Sequence, residues 1–272
     1  MEKHLGIVSS CLPHPEVENI AKIKAAGFDT VFTGIFDIKG ACELKNECDK
    51  QGVTLETIHA PFFVVDNGRF YNTNNFWKLG PSYYHLFRHS IASIDAAAEA
   101  GIPVIVHHVS GGRGVADPYN DLGAERFDAL VERCIQKGVK IAFENLQDVG
   151  NLAALMERYE KVEEVGFCYD CGHEHCYTVT VPFLDLFGNR LLCTHIHDNF
   201  GRSKEDPMKD TDIHVLPFDG NIDYADMMSR YKKYGCTVPL TLEVGKGAKY
   251  KDLSEEEFLA TAFERIKKIS KM

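Results

Sequence analysis

The stretch Ala124–Asn145, AERFDALVERCIQKGVKIAFEN, sets the reading of the fold. Its first part, Ala124–Lys137, has helical period, and Lys137-Gly138 puts a glycine where that helix ends. Glycine tolerates the left-handed backbone that closes a helix. The short apolar run Lys140–Glu144 follows and reads as a strand. It ends in a carboxylate directly after Phe143, where an unpaired charge would be costly to bury.

The same unit recurs outward in both directions. Candidate strands are Leu5–Ser9, Thr30–Phe36, Leu55–His59, Pro103–His107, Lys140–Glu144, Gly166–Asp170, Leu191–His197 and Pro239–Val244. Candidate helices are Pro15–Ala26, Ala41–Gln51, Tyr83–Ala100, Ala124–Lys137, Asn151–Tyr159, Val181–Phe187, Tyr224–Tyr234 and Ser254–Lys271. Ser254 and Glu257 form a capping-box pattern at the start of the last helix. Rough alternation of eight strands with eight helices predicts an α/β fold, a (β/α)8 TIM barrel, as a single domain over residues 1–272. A doubly wound open sheet is the runner-up. That fold often carries a glycine-rich phosphate loop after its first strand, where this chain has Ser9-Ser10-Cys11-Leu12-Pro13.

Composition narrows the class. The 272 residues are 44% hydrophobic and 26% charged, which argues against disorder. No apolar run approaches the ~18–20 residues of a membrane helix. The N-terminal MEKHLGIVSSCLPHPE does not read as a signal peptide, so a cytoplasmic location is expected. There, nine cysteines read as free thiols. Thirty Lys+Arg against forty Asp+Glu give a net charge of −10, which offers no general pull toward phosphate backbones and suits a carboxylate-rich cation site.

Barrel active sites lie at the C-terminal ends of the strands. Here those ends read His59-Ala60-Pro61, His107-His108, Glu144-Asn145, Asp170-Cys171-Gly172-His173, His195-Ile196-His197 and Glu243, with Asp212-Ile213-His214 after the seventh. Mixed imidazole and carboxylate sets suit zinc, manganese or iron. A lone histidine at a strand end is ordinarily structural, but six strand ends bearing such residues are hard to explain that way. A cation between Glu144 and Glu243 would remove the cost of their burial.

The ordered segments HAPF, VIVHHVSGG, FENL, YDCGH, HIHDNFG, DIHVLPFDGNIDY and LTLEVG resemble those of the xylose-isomerase-like TIM-barrel superfamily over essentially the whole chain. That group includes sugar-phosphate isomerases and epimerases and the class II AP endonucleases of the endonuclease IV type. The resemblance implies a four-ligand metal core of Glu144, Asp170, His195 and Glu243, with His197 the alternative to His195. It implies further ligands at His59, His107 (or its neighbour His108), His173, Asp212 and His214. It implies one to three divalent ions per chain, zinc or manganese foremost, and no nucleotide cofactor. Glu144 and Glu243 would be the catalytic acid/base pair in isomerisation or epimerisation of a small sugar, sugar phosphate or polyol. His108, His173, His197 and Arg202 would face substrate; Arg202 lies near the place of a substrate-contacting arginine in the ketose epimerases. The competing activities are a multi-metal phosphoesterase of the endonuclease IV kind and a metal-dependent dehydratase. The acidic charge disfavours nucleic acid as a partner, and no membrane partner is expected; a homo-oligomer is compatible with everything above.

Other features have blander readings. Cys168 and Cys171 form a C-x-x-C without a second such pair, so packing is preferred over zinc or redox chemistry. Ser110–Gly114 is read as a loop rather than a phosphate cradle. The aromatic stretch Phe70–Trp77 fits either a cap that stacks on substrate or a packed loop. Arg265, Lys267, Lys268 and Lys271 fit a solvated helix face.

Overall fold

A computed structural model describes residues 4–111, 116–178, 180–206 and 209–272. Its strands are β1 (Leu5–Val8), β2 (Thr30–Thr33), β3 (Thr54–His59), β4 (Phe63–Asp66), β5 (Arg69–Asn72), β6 (Val104–His108), β7 (Lys140–Glu144), β8 (Val165–Asp170), β9 (Leu191–His195) and β10 (Leu240–Leu242). The α-helices are α1 (Glu16–Ala25), α2 (Ile38–Gln51), α3 (Tyr84–Ala100), α4 (Asp121–Lys137), α5 (Val149–Arg158), α6 (Cys171–Tyr177), α7 (Phe183–Phe187), α8 (Tyr224–Lys233) and α9 (Glu255–Ser270). Eight strands form one sheet in the order β10-β1-β2-β3-β6-β7-β8-β9. A parallel bridge from Ile196 to Leu242 joins the two ends of that order. Parallel strands alternating with helices in a self-closing order are the TIM-barrel fold, and the open doubly wound alternative is excluded. Among the described residues, no helix is long and apolar enough to cross a membrane.

By compactness the chain divides into two units. The first comprises the described residues of Met1–Thr33, Glu43–Glu56 and Tyr169–Met272. Here Gly6 of β1 stands opposite Thr241 of β10 and Thr30 of β2. A Cβ at Gly6 would sit 2.6 Å from Thr241 Oγ1 and 2.6 Å from Thr30 Cγ2, so a larger residue would push the strands apart. The expected capping box opens α9: Ser254 Oγ accepts the Glu257 N–H at 3.1 Å, and Glu257 Oε2 accepts the Ser254 N–H at 2.7 Å. β9 stops two residues short of the expected end. Pairing nevertheless continues past it, with Ile196 N–H donating to Thr241 O at 2.8 Å and Glu243 N–H donating to Ile196 O at 3.0 Å.

The second unit comprises the described residues of Gly34–Cys42 and Thr57–Cys168. Ile58, Ile105, Ile141 and Val165 lie in register across β3, β6, β7 and β8. Outside them, α3 and α4 close on left-handed glycines, Gly101 at φ 69° and Gly138 at φ 68°. Trp77 Nε1 donates to Val109 O at 2.7 Å, and its ring rests on Gly123 of α4, leaving no room for a Cβ there. Within the stretch Phe70–Trp77, Phe76 and Trp77 are therefore core residues, whereas Phe70 is 58% exposed. In the glycine-rich loop, the Gly111 N–H donates to Asn74 Oδ1 at 2.6 Å; Gly112–Gly114 lie outside the described residues.

Sequence reading did not anticipate the hairpin β4–β5. Its turn is Asn67-Gly68, with φ of 49° and 73°. Asn-Gly between two apolar runs is a strong hairpin signal. It went unread because the hairpin stands outside the strand–helix alternation.

Glu56 of β3 is buried, and the Thr241 hydroxyl donates to its Oε1. Burial pushes this carboxyl up to about 7, against the opposing hydrogen bond from Thr241. The folded chain then holds a proton that the unfolded chain releases above its ordinary value of 4.5. Stability is therefore lost as pH rises from 4.5 to about 7, by at most about 3 kcal/mol. Urea unfolding of Glu56→Gln and the unmodified chain at pH 5 and pH 8 should show the variant gaining relative stability at the higher pH; equal slopes would refute the assignment.

Candidate metal centre

The ends of β3, β6 and β7 in the second unit bring His59, His108 and Glu144 together. Glu144 has no exposed surface, and its Oε2 lies 3.2 Å from His59 Nε2 and 3.3 Å from His108 Nε2. His59 Nδ1 is 2.8 Å from Ala60 O. A carbonyl only accepts, so a neutral His59 keeps its proton on Nδ1 and turns the Nε2 lone pair toward Glu144. Two electron-rich groups held face to face in a buried site call for a cation or a proton between them.

His107 does not join this group. Side chains alternate along a strand, and its ring faces the helix layer. There Nε2 is 2.9 Å from Ser90 Oγ and Nδ1 is 2.6 Å from His108 O, with Phe76 and Phe127 against the ring. Burial pushes His107 down to about 3. Of the two neighbours, His108 and not His107 shares a group with His59 and Glu144.

In the first unit Asp170, His195 and Glu243 each offer a ligand atom, mutually within 4.8 Å. His195 Nδ1 is 3.4 Å from Glu243 Oε2, and its ring stacks on Phe32 with centroids 4.6 Å apart. Asp170 is the N-cap of α6: its Oδ1 accepts the His173 N–H at 2.6 Å and lies 3.1 Å from His197 Nε2. A carboxylate at a helix N-terminus is stabilised by the helix dipole.

Beside it, His173, His197, Asp212 and His214 form a second group within the same 4.8 Å limit. Asp212 Oδ2 is 3.1 Å from both His173 Nε2 and His214 Nε2. His214 Nδ1 is 2.9 Å from Glu243 O, which leaves Nε2 facing Asp212. The rings of His197 and His214 stack at 3.7 Å, and His214 adopts φ 40°, a costly conformation for a non-glycine residue. Burial opposes charge on Asp212, yet His173 and His214 hold its carboxyl well below the usual carboxylate range. Burial likewise opposes charge on His214, but its hydrogen bond to Asp212 and the nearby Glu243 raise it to about 9. Such a site concentrates negative charge, and a bound cation would take the proton's place.

Both histidines of His195-Ile196-His197 thus face the same side, as period two requires, but they serve different groups. Gly172 makes room for His197; a Cβ there would collide with the imidazole. Asp198, within the same HIHDN string, is structural: it accepts N–H bonds from Asn199, Phe218 and Ile222 at 2.9, 2.8 and 3.2 Å, shaping the loop that carries His214. Arg202 is exposed. Cys171 Sγ donates to His197 O at 3.3 Å, and among the described residues no cysteine is disulfide-bonded. What sequence reading missed here was the ring of Phe62, which stacks on His108 with centroids 4.7 Å apart. Its signal was the aromatic pair directly after His59-Ala60-Pro61.

The two neighbouring histidines separate by experiment. His108→Ala should lower the zinc or manganese retained per chain after dialysis, measured by elemental analysis. His107→Ala should retain metal but lose about 2–4 kcal/mol of stability by denaturant unfolding. The reverse pattern would overturn the assignment. Gly172→Ala should likewise lower metal retention by displacing His197, with the far-ultraviolet circular dichroism unchanged.

A family model for the xylose isomerase-like TIM barrel matches residues 20–269. A curated relative, the uncharacterized protein y4fM of Sinorhizobium fredii, is 34% identical over 166 residues. That match covers 55% of this chain and 50% of the relative, so the chain spans about half the length of the curated relative it matches. Among solved structures, a xylose isomerase domain protein from Planctomyces limnophilus aligns with TM-score 0.75 at 17% identity, covering 99% of this chain and 97% of that one. The zinc-bound IolI protein aligns with TM-score 0.74 at 15% identity, covering 98% of each chain. The 3-keto-D-glucoside 4-epimerase of E. coli aligns with TM-score 0.72 at 13% identity, covering 100% of each. At these identities the structural likeness speaks for the fold alone, but with the family match over nearly the whole length, this chain belongs to the xylose isomerase-like TIM-barrel family.

Proposed function

We propose that the chain is a divalent-metal-dependent isomerase or epimerase of a small sugar, sugar phosphate or related polyol, acting as one domain. The observation that carries this reading is the fully buried Glu144, faced by two imidazole nitrogens at 3.2 and 3.3 Å. Its chemistry fits a resident zinc or manganese ion. Structural neighbours that are named as sugar epimerases, and one with bound zinc, support the same class.

Glu144, Asp170, His195 and Glu243 would hold the ion, with His59 and His108 beside Glu144. When bound, the ion supplies polarisation of the substrate carbonyl and stabilisation of enediolate charge. The chain's own groups do the rest. Glu243 is partly exposed, so its carboxylate is open to an arriving substrate and takes the proton from the carbon beside the carbonyl. Glu144 is the second acid/base and returns a proton to the reacting carbon. His173 and His197 orient substrate hydroxyls. Burial of these groups keeps bulk water from the charge that develops.

A second reading draws on the group His173, His197, Asp212 and His214, which could hold an ion in addition to one at Glu243. A multi-metal phosphoesterase would use such a set, and a dehydratase of the same superfamily is the remaining variant. Elemental analysis separates a one-ion site from a two- or three-ion site. Solvent-deuterium exchange into a panel of ketoses and their phosphates tests the isomerase directly. Exchange should fall at least about a hundredfold in Glu144→Gln and in Glu243→Gln, since general acid–base groups contribute on the order of 10²–10⁴. Exchange surviving in both variants would remove the acid/base pair, and cleavage of an abasic-site duplex with no exchange would favour the phosphoesterase.

A further inference from the structure

The hairpin β4–β5 has two faces of different character. One bears Val64, Asp66 and Tyr71, all partly buried. Tyr71 stacks on His85 of α3 with centroids 4.1 Å apart, and Asp66 Oδ2 lies 2.8 Å from His85 Nδ1. That face is anchored. The other bears Phe63, Val65 and Phe70, which are 46%, 61% and 58% exposed. Val65 pairs directly with Phe70 across the strands, and Phe63 stacks on Phe70 with centroids 5.5 Å apart. A two-stranded hairpin with one packed face ordinarily turns polar residues outward, so an outward cluster of three large apolar side chains points to something that covers it.

The cluster is continuous with the candidate site. Phe62, 40% exposed, meets Phe63 edge-on at 5.2 Å and lies flat on His108 at 4.7 Å. The same ring meets His59 edge-on at 5.8 Å. An unbroken run of rings therefore leads from the imidazoles that face Glu144 out onto the hairpin. The charged residues of the hairpin, Asp66 and the exposed Arg69 opposite it, belong by alternation to the face of Val64 and Tyr71, where Asp66 lies 3.6 Å from Arg88 of α3; the face of Phe63, Val65 and Phe70 carries no charged side chain. Exposed aromatic faces without charge suit the C–H face of a neutral ring rather than a phosphate or a carboxylate.

We propose that Phe62, Phe63 and Phe70 form a subsite for a second sugar ring, so that the preferred substrate is a glycosylated sugar and not a free monosaccharide. The inference rests on the isomerase or epimerase reading of the same site and specifies its substrate class. The test uses the full chain loaded with zinc or manganese, with D-fructose as the bare ketose and lactulose and palatinose, two glycosyl fructoses, as its glycosylated counterparts. Deuterium exchange gives kcat/KM for each, and calorimetry gives binding of the disaccharides. The expected result is that Phe63→Ala/Phe70→Ala lowers the ratio of disaccharide to bare-ketose kcat/KM about tenfold, the order expected for loss of two stacking rings. An unchanged ratio overturns the subsite while leaving the isomerase reading standing. Absence of exchange into every sugar, together with disaccharide binding that weakens about tenfold in the double variant, retains the subsite and removes the isomerase reading. Absence of any disaccharide binding to the unmodified chain overturns the subsite. So does a shift in sedimentation of the double variant from dimer to monomer, which would make the patch a contact between copies of the chain.

Discussion

The structure turns on carboxylates buried at the ends of apolar strands. Glu144 and Asp170 have no exposed surface, and an isolated charge in such a place is prohibitively costly. Each must be compensated locally. For Asp170 the compensation is visible in the backbone: the first turn of α6 donates to it, and the helix dipole points at it. Beside Glu144 stand His59 and His108, whose rings are held by the Ala60 carbonyl and by Phe62, and a cation or proton shared with them is needed to balance its charge. A resident cation would complete both arrangements.

Supporting contacts are divided between strand residues and loop residues. The strands supply fixed positions, because consecutive ladder pairs lock their register. The loop after β9 supplies Asp212 and His214, and it is shaped by a carboxylate that is no ligand at all. Asp198 collects three backbone N–H groups and thereby brings the chain back past His197. The price appears in the left-handed backbone of His214, a strain that a site maintains only when its surroundings over-determine it.

The hairpin adds a different element. It places rings, not charges, beside the imidazoles, and one face of it is fastened to α3 through Tyr71, His85 and Asp66. Fastening one face leaves the other to solvent or to a ligand.

Much of this was legible from local pattern alone. Strand–helix alternation, the glycine closing α4, the capping box of α9 and the ligand types at strand ends all depend on residues a few positions apart, so sequence by itself determined the fold class and the composition of the site. Local pattern could also place His195 and His197 on one side of a strand, since period two is a property of the chain. It could not say which side of β6 faces inward, because that depends on how β6 pairs with its neighbours; hence His108, not His107, meets Glu144. Nor could it separate Asp198 from the candidate ligands of the same string, or divide Phe70 from Phe76 and Trp77 within one aromatic run. Facing, burial and partnership are relations between distant segments, and only the packed chain decides them.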